Sequence, residues 1–448
     1  MSDGMSDAMG GDAMKSGEPQ GSRWMGPFFS IWTGQAFSLF GSKVAQFALI
    51  WWLTQLTGSA TVLATATLVG LLPEIVLSPI AGAYVDRWDR RRVMMIADGL
   101  IALASLWLAY LFWTDAMQVW HVYVVMAVRA VGSSFHWPAM SSSTSLMVPN
   151  KHLTRVAGLN QTLNGALNIV GAPLGALLMG WLPLHGVMLV DVGTALLAIV
   201  PLFFVIVPQP QRAEPETAQK SSIWADIRDG LRYIRGWPGL MALIGSAMIV
   251  KIALTPAFSL LPLLVSKHFN GGAAQLGLLE AVTGVGILVG GLLLSVWGGF
   301  RRKIYTIMMG VLILGLSLLV LGVTPGHMFW VALASMAIAG LMIPLVDGPI
   351  MAIMQGNVAP EMQGRVFTLM SSLLWVTSPF SLAVAGPISD GLGLQVWYVV
   401  AGLLCGVMGL VGYFLPALRN IEENNQMAAG AEGVVAASPS VAAAGGGE

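Results

Sequence analysis

Long apolar runs of this 448-residue sequence are interrupted by single ionisable side chains: Lys43, Glu74, Asp98, Arg129, Asp191, Lys251, Glu280 and Asp347. A medium of low dielectric disfavours the charged form of a carboxyl, and a cation nearby favours it. A carboxyl so placed can bind a proton in one setting and give it up in another. Glu74 follows Pro73 about halfway along its run, and Arg129 stands at similar depth in its own. Lys43 and Lys251 hold nearly equivalent places, Glu280 lies a few turns into its run, and Asp347 is towards the inner end of another. Glu74, Arg129, Glu280 and Asp347 are therefore candidates for proton coupling, with a pair between Arg129 and Glu74 feasible and a purely structural pair of any of these acids with Arg129 or a lysine the alternative. Asp98 and Asp191 fall near run ends and read as structural. Other chemistries lack their residues. There is no G-x-x-x-x-G-K-[ST] loop to cradle nucleotide phosphates. The histidines have no His or Cys partner at metal-ligand spacing. No nucleophile constellation and no basic stripe for nucleic acid occurs. Neither an enzyme nor a cofactor is expected.

The second concentration of chemistry is GAYVDRWDRRRV, residues 82–93, with Asp86, Arg87, Asp89, Arg90, Arg91 and Arg92 close together. The whole chain is only 10% charged and 56% hydrophobic, where soluble domains carry about 25% charged residues. Mean hydropathy is +0.75. That balance, with apolar runs near the length of a membrane crossing, belongs to a polytopic membrane protein.

The elements that must position these groups are transmembrane helices. Spans are expected at 27–54, 61–85, 93–113, 120–143, 155–182, 186–207, 238–265, 273–299, 303–323, 328–355, 364–388 and 394–417, each long enough to cross a hydrocarbon layer of about 30 Å. Lys and Arg fix the orientation. Lys15, Arg23, the 87–92 cluster, Lys151, Arg155, Arg212, Lys220, Arg228, Arg232, Arg235, Arg301, Arg302, Lys303, Arg365 and Arg419 fall on one side, and Lys267 on the other. The positive-inside asymmetry places both termini in the cytoplasm. Five segments follow: a polar tail 1–26, a six-helix half 27–207, a cytoplasmic linker 208–237, a second six-helix half 238–417, and a low-complexity tail 418–448. In the linker, Ile223, Ile227, Leu231 and Ile234 share one face of a short amphipathic helix expected to lie on the membrane surface.

The halves repeat. Trp297 follows Trp88 at an offset of 209, and each is followed by a basic cluster. VPNKHLTRV at 148–156 aligns with VAPEMQGRV at 358–366, and WPAM at 137–140 with GPIM at 348–351. Parallel duplication of six-span halves puts a substrate path at their interface.

At this point the chain resembles a known family. GAYVDRWDRR is similar to the major facilitator signature G-x-x-x-D-R-x-G-R-[RK], with Gly82, Asp86, Arg87, Arg90 and Arg91 on matching positions and Asp89 in place of the second glycine. DRWDRR, RAVGSSFHWPA, PEMQGRV and GGLLLSVWGGFRRK look more narrowly like the bacterial macrolide-efflux branch, which is also similar to enterobactin exporters. The resemblance implies that the signature is a cytoplasmic gate. Gly82 would let helix 2 pass close to a neighbour, and Asp86 and the arginines would latch to the other half in one state. Arg129 with Gly132 is similar to the family's span-4 R-x-x-x-G motif, associated with proton transfer, although one residue fewer stands between them and Val131 replaces the usual glutamine. GAPLGALLMG at 171–180 is a degenerate copy of the exporter element of span 5, through Gly171, Pro173 and Gly175.

The expected protein is an all-α major facilitator transporter of twelve helices in the bacterial inner membrane, a monomer that exports amphipathic drug-like compounds of macrolide type by proton antiport. Its partners would be a small-molecule substrate, protons and the lipid bilayer, with no nucleic acid. A siderophore or metabolite exporter is the rival within transport, and a non-transporting sensor or scaffold the rival outside it. The topology is testable with cysteine tags in intact cells. Tags at Ser22 and Gly430 should resist impermeant thiol reagents and one at Gly58 should react; labelling of a terminal tag from outside would overturn the map.

Overall fold

The computed structural model describes residues 24–85, 87–209 and 223–422, and every regular element among them is helical. Hydrocarbon offers no partner to a backbone N–H or C=O, so each crossing must satisfy its own, which a helix does. The first bundle consists of α1 (Met25–Thr57), α2 (Ala60–Val85), α3 (Arg90–Trp113), α4 (Val119–Met147), α5 (Asn150–Trp181) and α6 (Leu184–Phe204). A short α7 (Ile223–Gly236) leads to the second bundle. This holds α8 (Pro238–Ser259), the single turn α9 (Leu261–Leu263), α10 (Ala273–Trp297), α11 (Lys303–Val323), α12 (Phe329–Asn357), α13 (Pro360–Leu392), α14 (Leu394–Phe414) and the terminal turn α15 (Pro416–Arg419).

The ends follow local chemistry. Gly58 closes α1 in the left-handed region at φ 54°, where lack of a Cβ removes the strain. Asp89, where the family signature has glycine, caps α3 by accepting from the Arg92 N–H at 3.0 Å. The seventh expected span is broken: α8 ends at Ser259, Pro262 follows, and residues 264–268 form a π-helical turn. Proline has no N–H to continue the ladder.

Among the described residues, eleven helices are long and apolar enough to cross a membrane. α4, though 29 residues long, is not one of them by hydropathy, because Arg129, Ser134, His136 and Ser143 lie along it. The outward surface is apolar. Leu196, Leu197, Val200 and Phe204 on α6, Leu292 and Val296 on α10, and Leu403, Leu410 and Phe414 on α14 are exposed, while Gln35, Asp98, Ser105 and Asp191 are buried. This arrangement suits a lipid solvent.

Two expectations change. α7 exists, but it docks on protein as well as facing outward. Ile234 is buried in the second-bundle core, the Tyr233 hydroxyl accepts from the Ala359 N–H at 3.4 Å, and Asp229 pairs with Arg365 at 3.8 Å. The apolar face finds the start of α13 rather than resting on lipid alone. Gly58 is also a poor tag position, since a Cβ there would meet the Lys267 side chain at 2.7 Å. The exposed Ala116, in the loop after α3, is the unstrained substitute.

In lipid, close packing takes over from hydrophobic burial as the force between helices, so small residues mark the contacts. The seam of α11 with α14 is built this way. A Cβ at Gly402 would meet the Leu319 N at 2.6 Å, and one at Gly409 the Leu312 N at 2.7 Å; at Gly406 nothing lies within 4 Å. The two neighbours make an internal control. Gly406→Ala should leave the melting temperature in detergent unchanged or raise it, since alanine gains about 1 kcal/mol of helix propensity. Gly402→Ala should lower it by forcing the backbones apart. Equal melting temperatures would refute this account of the seam.

Candidate functional site

The two bundles meet towards the end of the molecule that carries residues 58–59, 114–118, 182–183, 264–272 and 324–328, called here the far end. Gly277 on α10 packs against the Ala172 carbonyl, where a Cβ would come within 3.1 Å, and Gly284 similarly meets the Asn168 carbonyl at 3.0 Å. Gly386 on α13 meets Thr61 on α2, at 2.8 Å from the built Cβ to Cα. Thr67 and Ser259 share a hydrogen bond of 2.6 Å between their hydroxyls, and the Gln55 amide donates to Ser266 at 3.1 Å. At the opposite, basic end the facing helices are looser: Glu74, Gly158 and Gln161 are exposed, and added Cβ atoms at Gly82, Gly158 and Gly165 would meet nothing within 4 Å.

Between these ends lies a cavity of about 1080 Å³ lined from both bundles. Most of its wall is apolar, with Phe258, Met308, Met336, Met351, Met370 and Trp375 among the larger side chains. Four ionisable groups face it: Lys43 from the first bundle and Lys251, Glu280 and Asp347 from the second. Lys43 acts electrostatically on the Glu280 carboxyl, and Lys251 on that of Asp347. Asp347 lies deep in the fold yet remains accessible, because it faces the cavity. The Lys251 ammonium also stands 5.1 Å from the centroid of the Trp375 ring, within cation–π range. Such a wall can hold an amphipathic molecule by its apolar body while the charged groups exchange partners.

Three of the remaining charges within the first bundle, Arg129, Asp191 and Asp98, are sealed. Arg129 does not meet Glu74 in this structure. Its guanidinium pairs with Asp191, donates to the Ser105 hydroxyl at 2.8 Å and reaches the Ser42 carbonyl at 3.3 Å. Ser105 donates to Asp191 at 2.6 Å and Ser42 does so at 3.0 Å. Asp191 is fully buried two turns into α6, rather than at a span end. This cluster ties α1, α3, α4 and α6 together. A second cluster joins the Gln35 amide to Asp98 at 2.8 Å, with His136 Nε2 3.4 Å from the other carboxylate oxygen. Glu74 is exposed; seven residues beyond Thr67, it shares the helix face on which Thr67 lines the cavity, nearer the basic end.

The signature motif is placed in part. Asp86 lies outside the described residues. Gly82 has open space around it, so the close approach expected there is not made in this conformation. Arg87 is exposed. Arg90 is buried and donates to the Ser142 carbonyl at 3.2 Å, and Arg91 donates to the Phe203 carbonyl at 2.7 Å. Both engage C-terminal stretches of helices in their own bundle, where the helix dipole favours a cation. In the span-5 element, Gly171 and Gly175 serve α1, with built Cβ contacts of 3.3 Å to Lys43 and 2.8 Å to Phe47. Contact with the other bundle runs through Ala172 and Pro173 instead, and the glycine that permits it is Gly277. Sequence reasoning passed over Gly277, the role of Asp191, and Asp390, whose carboxylate reaches α2. Their signals were small residues at helical spacing and charges near helix ends.

Known proteins are similar to this chain in sequence and in fold. The profile of the Major Facilitator Superfamily matches residues 31–372 and 246–441. Macrolide efflux protein A of Streptococcus pyogenes is 32% identical over 399 residues, which is 89% of this chain and 98% of that protein. The multidrug efflux pump Tap of Mycolicibacterium fortuitum is 28% identical over 85% of this chain and 94% of its own length. A bacterial homologue of the iron transporter ferroportin, solved in an inward-facing state, superposes with a TM-score of 0.65 at 16% identity, covering 86% of this chain and 98% of that one. With a cavity shared by two helical bundles and relatives aligned over nearly their whole length, the chain belongs to the Major Facilitator Superfamily and is a membrane transport protein, not an enzyme.

Proposed function

We propose that the protein is a secondary active efflux transporter that exports amphipathic drug-like molecules, macrolide-type compounds among them, in exchange for protons. The observation that carries this reading is the large, mainly apolar cavity faced by Lys43, Lys251, Glu280 and Asp347. Its volume lies just above the usual range of small-molecule sites, about 300–1,000 Å³. The names of the efflux relatives point the same way. The fold on this reading comprises twelve crossings in two related halves, 27–207 and 238–417, with α4 as the least apolar crossing. The protein acts as a monomer. The basic end faces the cytoplasm with both termini, as the Lys/Arg asymmetry requires, and the conformation described is open to that side.

Glu280 and Asp347 are the leading proton carriers, because each shares the cavity with a lysine that can release it as the substrate arrives. Glu74 and Arg129 stand behind them, one on the cavity-facing side of α2 and the other in a sealed pair. Asp86 with Gly82, Arg87, Arg90 and Arg91 forms the cytoplasmic latch of the opposite state. The test is efflux from proteoliposomes under an imposed pH gradient, with macrolides, dyes and siderophores as substrates. Glu280→Gln or Asp347→Asn should abolish gradient-driven efflux while sparing substrate binding and downhill exchange, and Asp86→Asn should sharply reduce transport at normal expression. If Glu74→Gln, Glu280→Gln and Asp347→Asn all respond to the gradient like the parent, the coupling assignment fails. Transport of siderophores alone would move the substrate class.

Arg129 and Asp191 make a separate prediction. Breaking a buried pair leaves an uncompensated charge and costs about 3–5 kcal/mol, whereas an apolar replacement of both partners is often neutral. Asp191→Leu should therefore lower the melting temperature strongly, and the double variant Arg129→Met/Asp191→Leu should restore most of it. Gradient-driven efflux by the double variant would limit the pair to holding the bundle together. Loss of coupling at restored stability would give Arg129 a part in proton transfer.

A further inference from the structure

Ala60–Val85 begins with four backbone N–H groups that no helical carbonyl can take. Two are satisfied locally: the N–H of the cap residue Ser59 by the Thr57 hydroxyl at 3.3 Å, and the Val62 N–H by the Ser59 hydroxyl at 3.3 Å. The other two go to the second bundle. The Asp390 carboxylate accepts from the Ala60 N–H at 2.7 Å and from the Thr61 N–H at 2.9 Å. It also accepts from the Ser59 hydroxyl at 2.8 Å. A residue 330 positions along the chain thus completes the cap of α2.

The contact has a second component. One turn before Asp390, Gly386 lies on the same face of α13, and its missing side chain lets that helix approach Thr61 with a built Cβ only 2.8 Å from Cα. Glycine brings the helices together, and the carboxylate one turn further on meets the N-terminus at the point of closest approach. A negative charge suits that site, which carries the positive end of the helix dipole. Asp390 is exposed, so water can replace its partners when the bundles separate, and the bond is one that a working cycle can break.

We propose that Asp390 is the far-end latch of the transport cycle: in the conformation open at the basic end its carboxylate holds the far end shut by capping α2 of the other bundle, and it lets go when that end opens. The proposal rests on the alternating-access reading above. It makes Asp390 a positioning residue that sets the balance between two conformations and touches neither substrate nor proton path.

The test uses the full chain in lipid with spin labels at Leu56 and Leu392, two exposed positions at the far end on α1 and α13. Distance distributions from double electron–electron resonance report the fraction with that end open. Asp390→Ala should raise this fraction about fivefold, in keeping with the loss of a helix cap, and Asp390→Asn, which keeps one acceptor, should fall between it and the parent. Ser59→Ala should raise it less, and the effects of Asp390→Ala and Ser59→Ala should be less than additive, because they share a bond. A parent with two populations that Asp390→Ala leaves unchanged overturns the latch and spares the transport reading. A parent with one far-end distance, whether or not substrate and a pH gradient are applied, overturns both.

Discussion

A charge inside a hydrocarbon layer must be paired, hydrated or removed, and the placement of nearly every polar group in this chain answers to that demand. The first bundle meets it by sealing. Arg129 and Asp191 neutralise each other, and Ser42 and Ser105 fill the remaining hydrogen-bonding capacity of the carboxylate. Because the partners come from α1, α3, α4 and α6, the pair also fixes how those helices sit. The cavity wall meets the demand differently. Lys43, Glu280, Lys251 and Asp347 face a space that water or a substrate can fill. Sealed pairs have nothing to exchange in the conformation described, whereas cavity-facing ones do.

The same demand shapes the contacts between bundles. Lipid tails are as apolar as the helices they surround, so there is no hydrophobic reward for bringing two bundles together. What remains is close packing and hydrogen bonding, and the far end uses both. Gly277, Gly284 and Gly386 allow backbones to approach, and Asp390, Ser59, Thr67, Ser259, Gln55 and Ser266 add polar links. Contacts of this kind are individually modest and can be broken together. The seam between α11 and α14 is also glycine-lined, but it joins helices of one bundle and is backed by buried groups such as Tyr398, whose hydroxyl donates to the Ala257 carbonyl at 2.7 Å. A seam within a bundle stays shut during a rigid-body motion; a seam between bundles must not.

Much of this was legible in the sequence because apolar length and Lys/Arg placement are local signals. The expected span 303–323 coincides with α11, and most others differ from their helices by a few residues at the ends. The cavity acids Glu280 and Asp347 were visible as charges deep in apolar runs. What the sequence hid depends on rotation about the helix axis and on which helices become neighbours. Depth alone suggested Arg129 with Glu74, yet the guanidinium turns towards α6 and finds Asp191. In the same way Gly171 and Gly175 face α1, and the approach between bundles falls to Ala172, Pro173 and Gly277. The linker helix shows the limit of amphipathic patterning: an apolar face specifies burial without specifying whether lipid or α13 supplies it.

Asymmetry between the two ends follows from where water is. At the far end the carboxylate that closes the gap stands at the surface, bound to backbone N–H groups whose positions are set by the helix itself. Such a site needs no partner side chain with its own rotamers to order, and it forms whenever α2 and α13 come within reach. At the basic end two arginines of the signature motif reach into their own bundle, Arg90 to the Ser142 carbonyl and Arg91 to that of Phe203. They tie the start of α3 to α4 and α6. The far end is thus closed by bonds that cross from one bundle to the other, whereas the bonds these arginines make at the basic end lie within one bundle.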